Sequence, residues 1–233
     1  MTCLAAIIRS TPASLLPDMI RERTRRVQTP LPKIPLNAAL VAVLELKMAG
    51  DDIQVFVPLL QTGVLMHIAR GATIRSFLCQ TLGIDPDFVE QRISTIFLNG
   101  RPVDNLEAKL RQGYTLALSA AMPGLVGATM RRGGVVATLR SNISHREEGR
   151  RDEEDLEGII LVKLFNTLIP ELGPVLLKRG VLVEWDTLKD FLRVPGFWER
   201  CQGVTLNGEE IDPAQGSGLP WPAAATWIEL RVG

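Results

Sequence analysis

The stretch FLNGRPVD, residues 97–104, decides the fold prediction because a near copy, TLNGEEID, returns at residues 205–212. In both copies a short β-prone run ends in Asn-Gly, the dipeptide that best tolerates the positive φ values of a tight turn. Extended structure is then predicted to resume at Val103 and at Ile211. Two strand–turn–strand units of the same kind in one chain indicate an internal duplication.

The residues upstream of 97–104 predict a hairpin and one helix. IQVFVPLL, residues 53–60, is rich in β-formers and is separated by a short turn from VLMHIARG, residues 64–71, so the two runs predict a β-hairpin. Thr73 stands as the N-cap of a helix in which apolar residues recur at helical spacing and which Gly83 ends. Residues 84–92 are predicted as a loop.

The strand that completes this unit is YTLALSA, residues 114–120. The resulting order of strand, strand, helix, strand and strand places one helix across one mixed sheet, which defines an α+β fold.

The second half of the chain repeats the same signals in the same order. VFVPLL at 55–60 aligns with LFNTLI at 164–169, and ARG at 69–71 aligns with KRG at 178–180, so that each triplet ends a second strand. The triplets SFL and DFL mark the two helices. The sequence therefore predicts two tandem modules, residues 51–124 and residues 158–233, each a mixed sheet with one helix packed across it.

The segments outside the modules differ in composition. Residues 1–50 are basic and rich in proline, which is typical of an irregular leader. Two alternatives stay open for the end of this leader: Met48 is the true start of the protein, or residues 36–48 form a helix. Residues 125–157 are predicted to be a linker that is first Gly-rich and then densely charged.

Composition excludes several classes of partner. The chain has 26 basic and 26 acidic residues, so no overall field attracts nucleic acid or an anionic membrane. No apolar run approaches the roughly 20 residues that a membrane span needs, and the N-terminus lacks the order of a signal peptide. We therefore expect neither a nucleic-acid partner nor a membrane partner.

Catalytic and metal-binding motifs are not found in the sequence. The 3 cysteines, Cys3, Cys79 and Cys201, form no CxxC spacing, which predicts free thiols in a reducing cytoplasm. Cys79 is expected to pack in its helix, and Cys201 is expected to be more exposed. With only 2 histidines, no phosphate loop and no convincing carboxylate pair, we predict no catalytic residue, no metal and no cofactor.

Three motifs in the first module resemble a known family. They are GATIRSFLCQTLGIDP with its helix after a threonine cap, FLNGRPVD with its Asn-Gly turn, and LRQGYTLALSAAMPG with its closing strand. Together they resemble the β-grasp, ubiquitin-like sulfur carriers, typified by the small subunit of molybdopterin synthase and the sulfur carrier of thiamine biosynthesis. The resemblance covers residues 51–124. GVTLNGEEIDP and TWIELRVG extend it more loosely to the second module.

The family resemblance implies a specific use for a terminal Gly-Gly. In that family an adenylating enzyme activates the C-terminal carboxylate, and the glycines allow the extended tail to enter a narrow channel. Here the only Gly-Gly is internal, in the run Met130, Arg131, Arg132, Gly133 and Gly134. This run is either a conjugation tail awaiting cleavage or a flexible basic linker, and we predict the linker.

Two further features suggest contacts with another protein. Trp221 stands between Pro220 and Pro222, so its indole lies on a rigid loop and is predicted either to bind a partner or to pack locally. The segment 119–139 is small, apolar and nearly uncharged, which suits an interaction surface.

The sequence favours a non-enzymatic interaction or scaffold protein that binds an unidentified protein partner. It would use an exposed sheet face, an edge strand or the apolar segment 119–139. The alternative is a sulfur-carrier or modifier-like protein that an adenylating enzyme activates after cleavage at Gly134. A catalytic subunit has the least support.

Overall fold

One mixed ten-stranded sheet organises the protein. The structure, a computed structural model, describes residues 41–49, 53–121, 124–134, 157–213 and 227–233. All of these belong to one compact unit, Pro35–Gly233. The strands are β1 (Val41–Met48), β2 (Val64–Ile68), β3 (Thr95–Leu98), β4 (Arg101–Pro102), β5 (Thr115–Ser119), β6 (Gly158–Phe165), β7 (Val181–Glu184), β8 (Cys201–Leu206), β9 (Glu209–Ile211) and β10 (Trp227–Val232).

Helices connect several of these strands. A 3-10 turn, Ile53–Phe56, runs directly into α1, and a π-helical turn, Phe77–Thr81, continues α2. A second 3-10 turn, Trp198–Arg200, precedes β8. The α-helices are α1 (Val57–Thr62), α2 (Ile74–Ser76), α3 (Pro86–Arg92), α4 (Gly124–Met130), α5 (Leu168–Arg179) and α6 (Trp185–Leu192).

The main hydrophobic core lies between one face of the sheet and the helices. In β1, Leu44 and Leu46 are buried while Glu45 and Lys47 are exposed, which is the alternation of a half-buried strand. Apolar side chains of α1, α2, α3, α5 and α6 belong to the same buried cluster as these strand residues. Burying one Leu in such a core stabilises the fold by roughly 1.5–3 kcal/mol, so the helix layer and the sheet stabilise each other.

Strands from the two halves of the sequence are interleaved in this sheet. The order is β4-β3-β5-β6-β2-β7-β10-β1-β8-β9. β6 lies parallel to β5 and antiparallel to β2, whereas β1 lies parallel to β10 and antiparallel to β8. β1, the first described strand, therefore lies in the same part of the sheet as β10, the last one. The described protein is α+β, with a single mixed sheet.

The two Asn-Gly turns are confirmed. Asn99 and Gly100 have φ values of 51° and 75°, and Asn207 and Gly208 have values of 52° and 86°. The predicted helix after Thr73 is confirmed as well, because the Thr73 hydroxyl accepts a hydrogen bond from the Ser76 amide in a capping box.

The predicted strand over residues 53–60 is wrong, and so is the hairpin built on it. This stretch forms the 3-10 turn and most of α1, because Phe56, Leu59 and Leu60 are buried at helical spacing and Pro58 occupies the first turn. The matching strand predicted to end at KRG is also wrong, since residues 168–179 form α5.

Two further predictions are corrected. The alternative of a helix over residues 36–48 fails for 41–48, which form β1 and so are not part of an irregular leader. The loop predicted at 84–92 contains α3, because Asp85 accepts hydrogen bonds from the amides of Asp87 and Phe88 as an N-cap, and Pro86 favours the first helical position.

Candidate functional site

The run from Met130 to Gly134 folds back against the first part of the chain. Met130 ends α4, and the Arg131 amide donates to the Gly127 carbonyl at 3.1 Å. The Arg132 amide donates to the Ser94 carbonyl at 2.7 Å, and the Gly134 amide donates to the Arg131 carbonyl at 3.2 Å. Gly133 has a φ of 62°. The run is therefore a tight turn that is hydrogen-bonded to the first part of the chain, and its role as a linker stays a prediction.

Arg132 anchors this turn to the end of α3. Its Nη2 donates to the Val89 carbonyl at 3.0 Å and to Glu90 Oε2 at 2.9 Å, and only 10% of its side chain is exposed. Val89 and Glu90 lie in the last turn of α3, where carbonyls have no partner inside the helix and the helix dipole favours a cation. Arg132 thus acts as a C-terminal cap supplied by a distant segment.

A second anchor comes from the repeated motif itself. The Gly133 amide donates to Asp104 Oδ1 at 3.1 Å, and Asp104 is the last residue of FLNGRPVD.

Glu90 is shared between Arg132 and Arg75. Arg75 Nη2 approaches the Glu90 carboxylate at 3.3 Å, while Arg75 Nε bonds Glu107 at 2.7 Å. These charged groups border a recess of about 390 Å³. The hydrogen bond to Glu107 is the main reason why the pKa of Arg75 is raised.

An apolar groove of about 560 Å³ forms the second candidate site, between the residues 53–62 and α6. One wall carries Val55, Pro58 and Thr62, spaced three and four residues apart in the chain. The other wall is built from α6 and the residues after it. Its side chains Thr187, Phe191 and Val194 are spaced four and three residues apart, and Val194 lies two residues beyond the end of α6. We call this site the helix groove.

Three aromatic rings pack against one another at the helix groove, and two of them, Phe191 and Phe197, form part of its lining. The ring of Phe191 lies 5.3 Å from that of Phe56 and 5.4 Å from that of Phe197, with centroid distances typical of favourable aromatic pairs. Phe56 and Phe197 are buried, whereas Val194 is 49% exposed at the rim. Packed aromatic side chains offer apolar surface with few rotatable bonds, so binding to them orders few side chains.

A third recess in the described part of the chain, about 890 Å³, is lined by residues of β1, β8, β9 and β10. Its charged lining is balanced, with Glu45, Glu210 and Asp212 against Lys47, Lys178 and Arg231. Arg231 pairs with Glu229 at 2.7 Å and with Glu45 at 3.3 Å. Because the two signs neutralise each other, this surface offers no field that selects a charged ligand.

The other predicted site residues are placed as follows. Trp221 and residues 135–139 of the apolar segment lie outside the described residues, whereas Leu125 on α4 is 76% exposed. Cys79 is half-buried, and Cys201 is 9% exposed, which corrects the expectation that Cys201 is more exposed. Burial raises the pKa of both thiols, so neither is an activated nucleophile.

The helix groove was missed by the sequence prediction because residues 53–60 were assigned to a strand. One sequence signal does favour a helix at this place. The apolar residues Phe56, Leu59 and Leu60 recur at helical spacing, and Pro58 suits the first turn of a helix.

No family model, no curated protein and no solved structure matches the chain. Among the described residues, no group of three or more His, Cys, Asp or Glu side chains could hold a metal ion. The same part of the chain contains no helix that is long and apolar enough to cross a bilayer.

Proposed function

We propose that this chain is a non-enzymatic interaction protein and that its helix groove binds an amphipathic helix of a protein partner. The observation that carries the proposal is an apolar groove between residues 53–62 and α6. Its two walls carry side chains spaced three and four residues apart, and the rings of Phe191 and Phe197 form part of its lining. Grooves between two helices accept a third helix through apolar side chains at i, i+3, i+4 and i+7.

The chemistry of the groove favours a helix over an extended peptide. Its lining offers few hydrogen-bonding side chains, Gln54, Thr62, Thr187 and Arg200, and all four are exposed. These four side chains could replace only a few of the hydrogen bonds that an extended peptide backbone would lose with its water, and each group left unsatisfied costs about 1–3 kcal/mol. A helix satisfies these groups internally and brings only apolar side chains to the groove.

The described sheet edges are poor alternatives for binding. β4 has 2 residues and contains Pro102, which has no amide to donate. β9 has 3 residues, and Glu209 and Glu210 are exposed on it. Short edges that carry proline and charge resist the addition of another strand. The interaction is therefore assigned to the helix layer rather than to an edge strand.

The proposal extends to the finer fold. Each half of the sheet is proposed to be a β-grasp-like unit, related to the ubiquitin-like sulfur carriers. Support comes from the repeated order of a helix, a strand, an Asn-Gly turn with positive φ and a short returning strand. The interleaving of β1 and β6 sets these units apart from a simple tandem pair.

The alternative function, a sulfur carrier or modifier activated by an adenylating enzyme in the cytoplasm, requires Gly134 to become a free terminus. In the intact chain Arg132 and Gly133 are held by Glu90 and Asp104, so the tail would have to be cut and released first. Mass spectrometry of protein from native cells tests this alternative, since it requires a fragment that ends at Gly134.

Partner capture with two matched variants tests the leading proposal. Val194→Asp places a charge in the helix groove, whereas Leu125→Asp places the same charge on another exposed apolar residue, on α4. We expect Val194→Asp to abolish capture of a stoichiometric partner from native lysate and Leu125→Asp to retain it. Loss with Leu125→Asp and retention with Val194→Asp would move the interaction to α4 and refute the proposal.

A further inference from the structure

Two carboxylates from different elements hold the segment Arg131–Gly134, which we call the RRGG strap. Glu90 in α3 binds the Arg132 guanidinium, and Asp104 after β4 binds the Gly133 amide. The Arg132 amide adds a bond to the Ser94 carbonyl at 2.7 Å. The strap is thus tied to three places on the first half of the chain.

We infer that the RRGG strap is a reversible latch with a closed and an open state. In the closed, latched state its peptide bonds are protected from enzymes that cut or activate a peptide. Enzymes that cut or activate a peptide bind it in an extended form. In the latched state Gly133 has a φ of 62° and the Gly134 amide turns back to the Arg131 carbonyl. Arg132 is nearly buried against α3. No extended substrate conformation exists until the strap opens.

The arrangement of charges makes the latch reversible. Glu90 is 50% exposed and is shared between Arg132 and Arg75. When Arg132 leaves, Arg75 still neutralises the Glu90 carboxylate, and water reaches both released groups. Opening therefore leaves no buried unpaired charge, which is the event that makes breaking an ion pair costly. Local opening of such a segment needs less free energy than global unfolding.

This inference is independent of the helix groove, because no residue of the strap or of its anchors lines that groove. It also makes no use of a sulfur-carrier activity. Failure of either proposal therefore leaves the other one standing.

Limited trypsin digestion of the full chain tests the latch, with the rate of cleavage after Arg132 measured by mass spectrometry. A synthetic peptide of residues 126–138 gives the rate for a fully open strap. Glu90→Gln and Asp104→Asn each remove one anchor. Glu107→Gln is the matched control, because Glu107 bonds Arg75 and has no contact with the strap among the described hydrogen bonds. Cleavage after Lys163, inside β6 between β5 and β2, reports global unfolding.

We expect the wild-type chain to be cut after Arg132 roughly a hundredfold more slowly than the peptide, with each anchor worth about tenfold. Glu90→Gln and Asp104→Asn should each accelerate this cleavage about tenfold, without faster cleavage after Lys163. Glu107→Gln should stay within about twofold of wild type. Equal rates for the chain and the peptide, or no difference between the anchor variants and Glu107→Gln, would overturn the inference.

Discussion

Asn207 and Val43, 164 positions apart in the chain, exchange two hydrogen bonds. The Asn207 amide donates to the Val43 carbonyl at 2.8 Å, and the Val43 amide donates to Asn207 Oδ1 at 2.9 Å. Asn99 makes the same pair of bonds with Thr115, both at 2.9 Å. We call each such pair of bonds a clamp: the turn at Asn207 is clamped to β1, and the turn at Asn99 is clamped to β5. β1, the first described strand, therefore takes the place that β5 holds in the other half of the sheet.

The clamp at Asn207 predicts a measurable loss of stability on substitution. Asn207→Ala removes the side-chain acceptor and places a Cβ-bearing residue without a local hydrogen bond at a φ of 52°. We expect the free energy of unfolding in urea to fall by about 1.5–3 kcal/mol. Asn207→Gly tolerates the φ value and should lose only about 1 kcal/mol. Two variants as stable as wild type would show that the clamp contributes nothing.

The position of β1 predicts the behaviour of a chain that begins at Met48. That chain lacks residues 41–47, so β10 and β8 lose the strand that lies between them. Their apolar residues Leu230 and Val204 then lose a neighbour in the core. We expect no cooperative urea transition for this variant, with the full chain as the control. A transition with an unchanged midpoint would contradict the role of β1.

Burial of Cys201 predicts a pH dependence of stability. Its thiol pKa is raised by desolvation in the folded chain, so the folded state retains the proton at pH values where the unfolded state loses it. Stability from this group is complete below the ordinary thiol pKa of about 8.5 and decreases as the pH rises through the folded value. Unfolding free energies measured from pH 7.5 to 10 should therefore fall more steeply in wild type than in Cys201→Ala. Parallel slopes would refute this.

Local chemistry explains which parts of the fold could be predicted from the sequence. Asn99-Gly100 and Asn207-Gly208 fix positive φ values by their residue types, and Thr73 fixes a helix start through its own hydroxyl. Residues 53–60 were mispredicted because the β-branched Val55 and Val57 favour a strand. In the folded protein these residues form a helix, because Phe56 and Leu60 pack into the core from it. This tertiary contact outweighs the local preference for a strand.

Long-range contacts explain what could not be predicted about the candidate sites. Arg132 and Glu90 are 42 positions apart, and nothing in either neighbourhood specifies the pair. The run MRRGG was recognisable as unusual, but its docked turn depends on α3, which was predicted as a loop. The helix groove likewise needs residues 53–62 and α6 to be side by side. Both sites depend on helices that local sequence patterns do not specify, and on contacts between segments far apart in the chain.

Site-specific photo-crosslinking at position 194 tests the helix groove most directly. Val194→p-benzoylphenylalanine places the reactive group at the exposed rim, and the same substitution at Leu125 is the control. We predict that position 194, and not position 125, captures one partner peptide whose apolar residues recur at helical spacing. Capture only at position 125, or capture at position 194 of an extended segment or of a second copy of this chain, would contradict the proposed function.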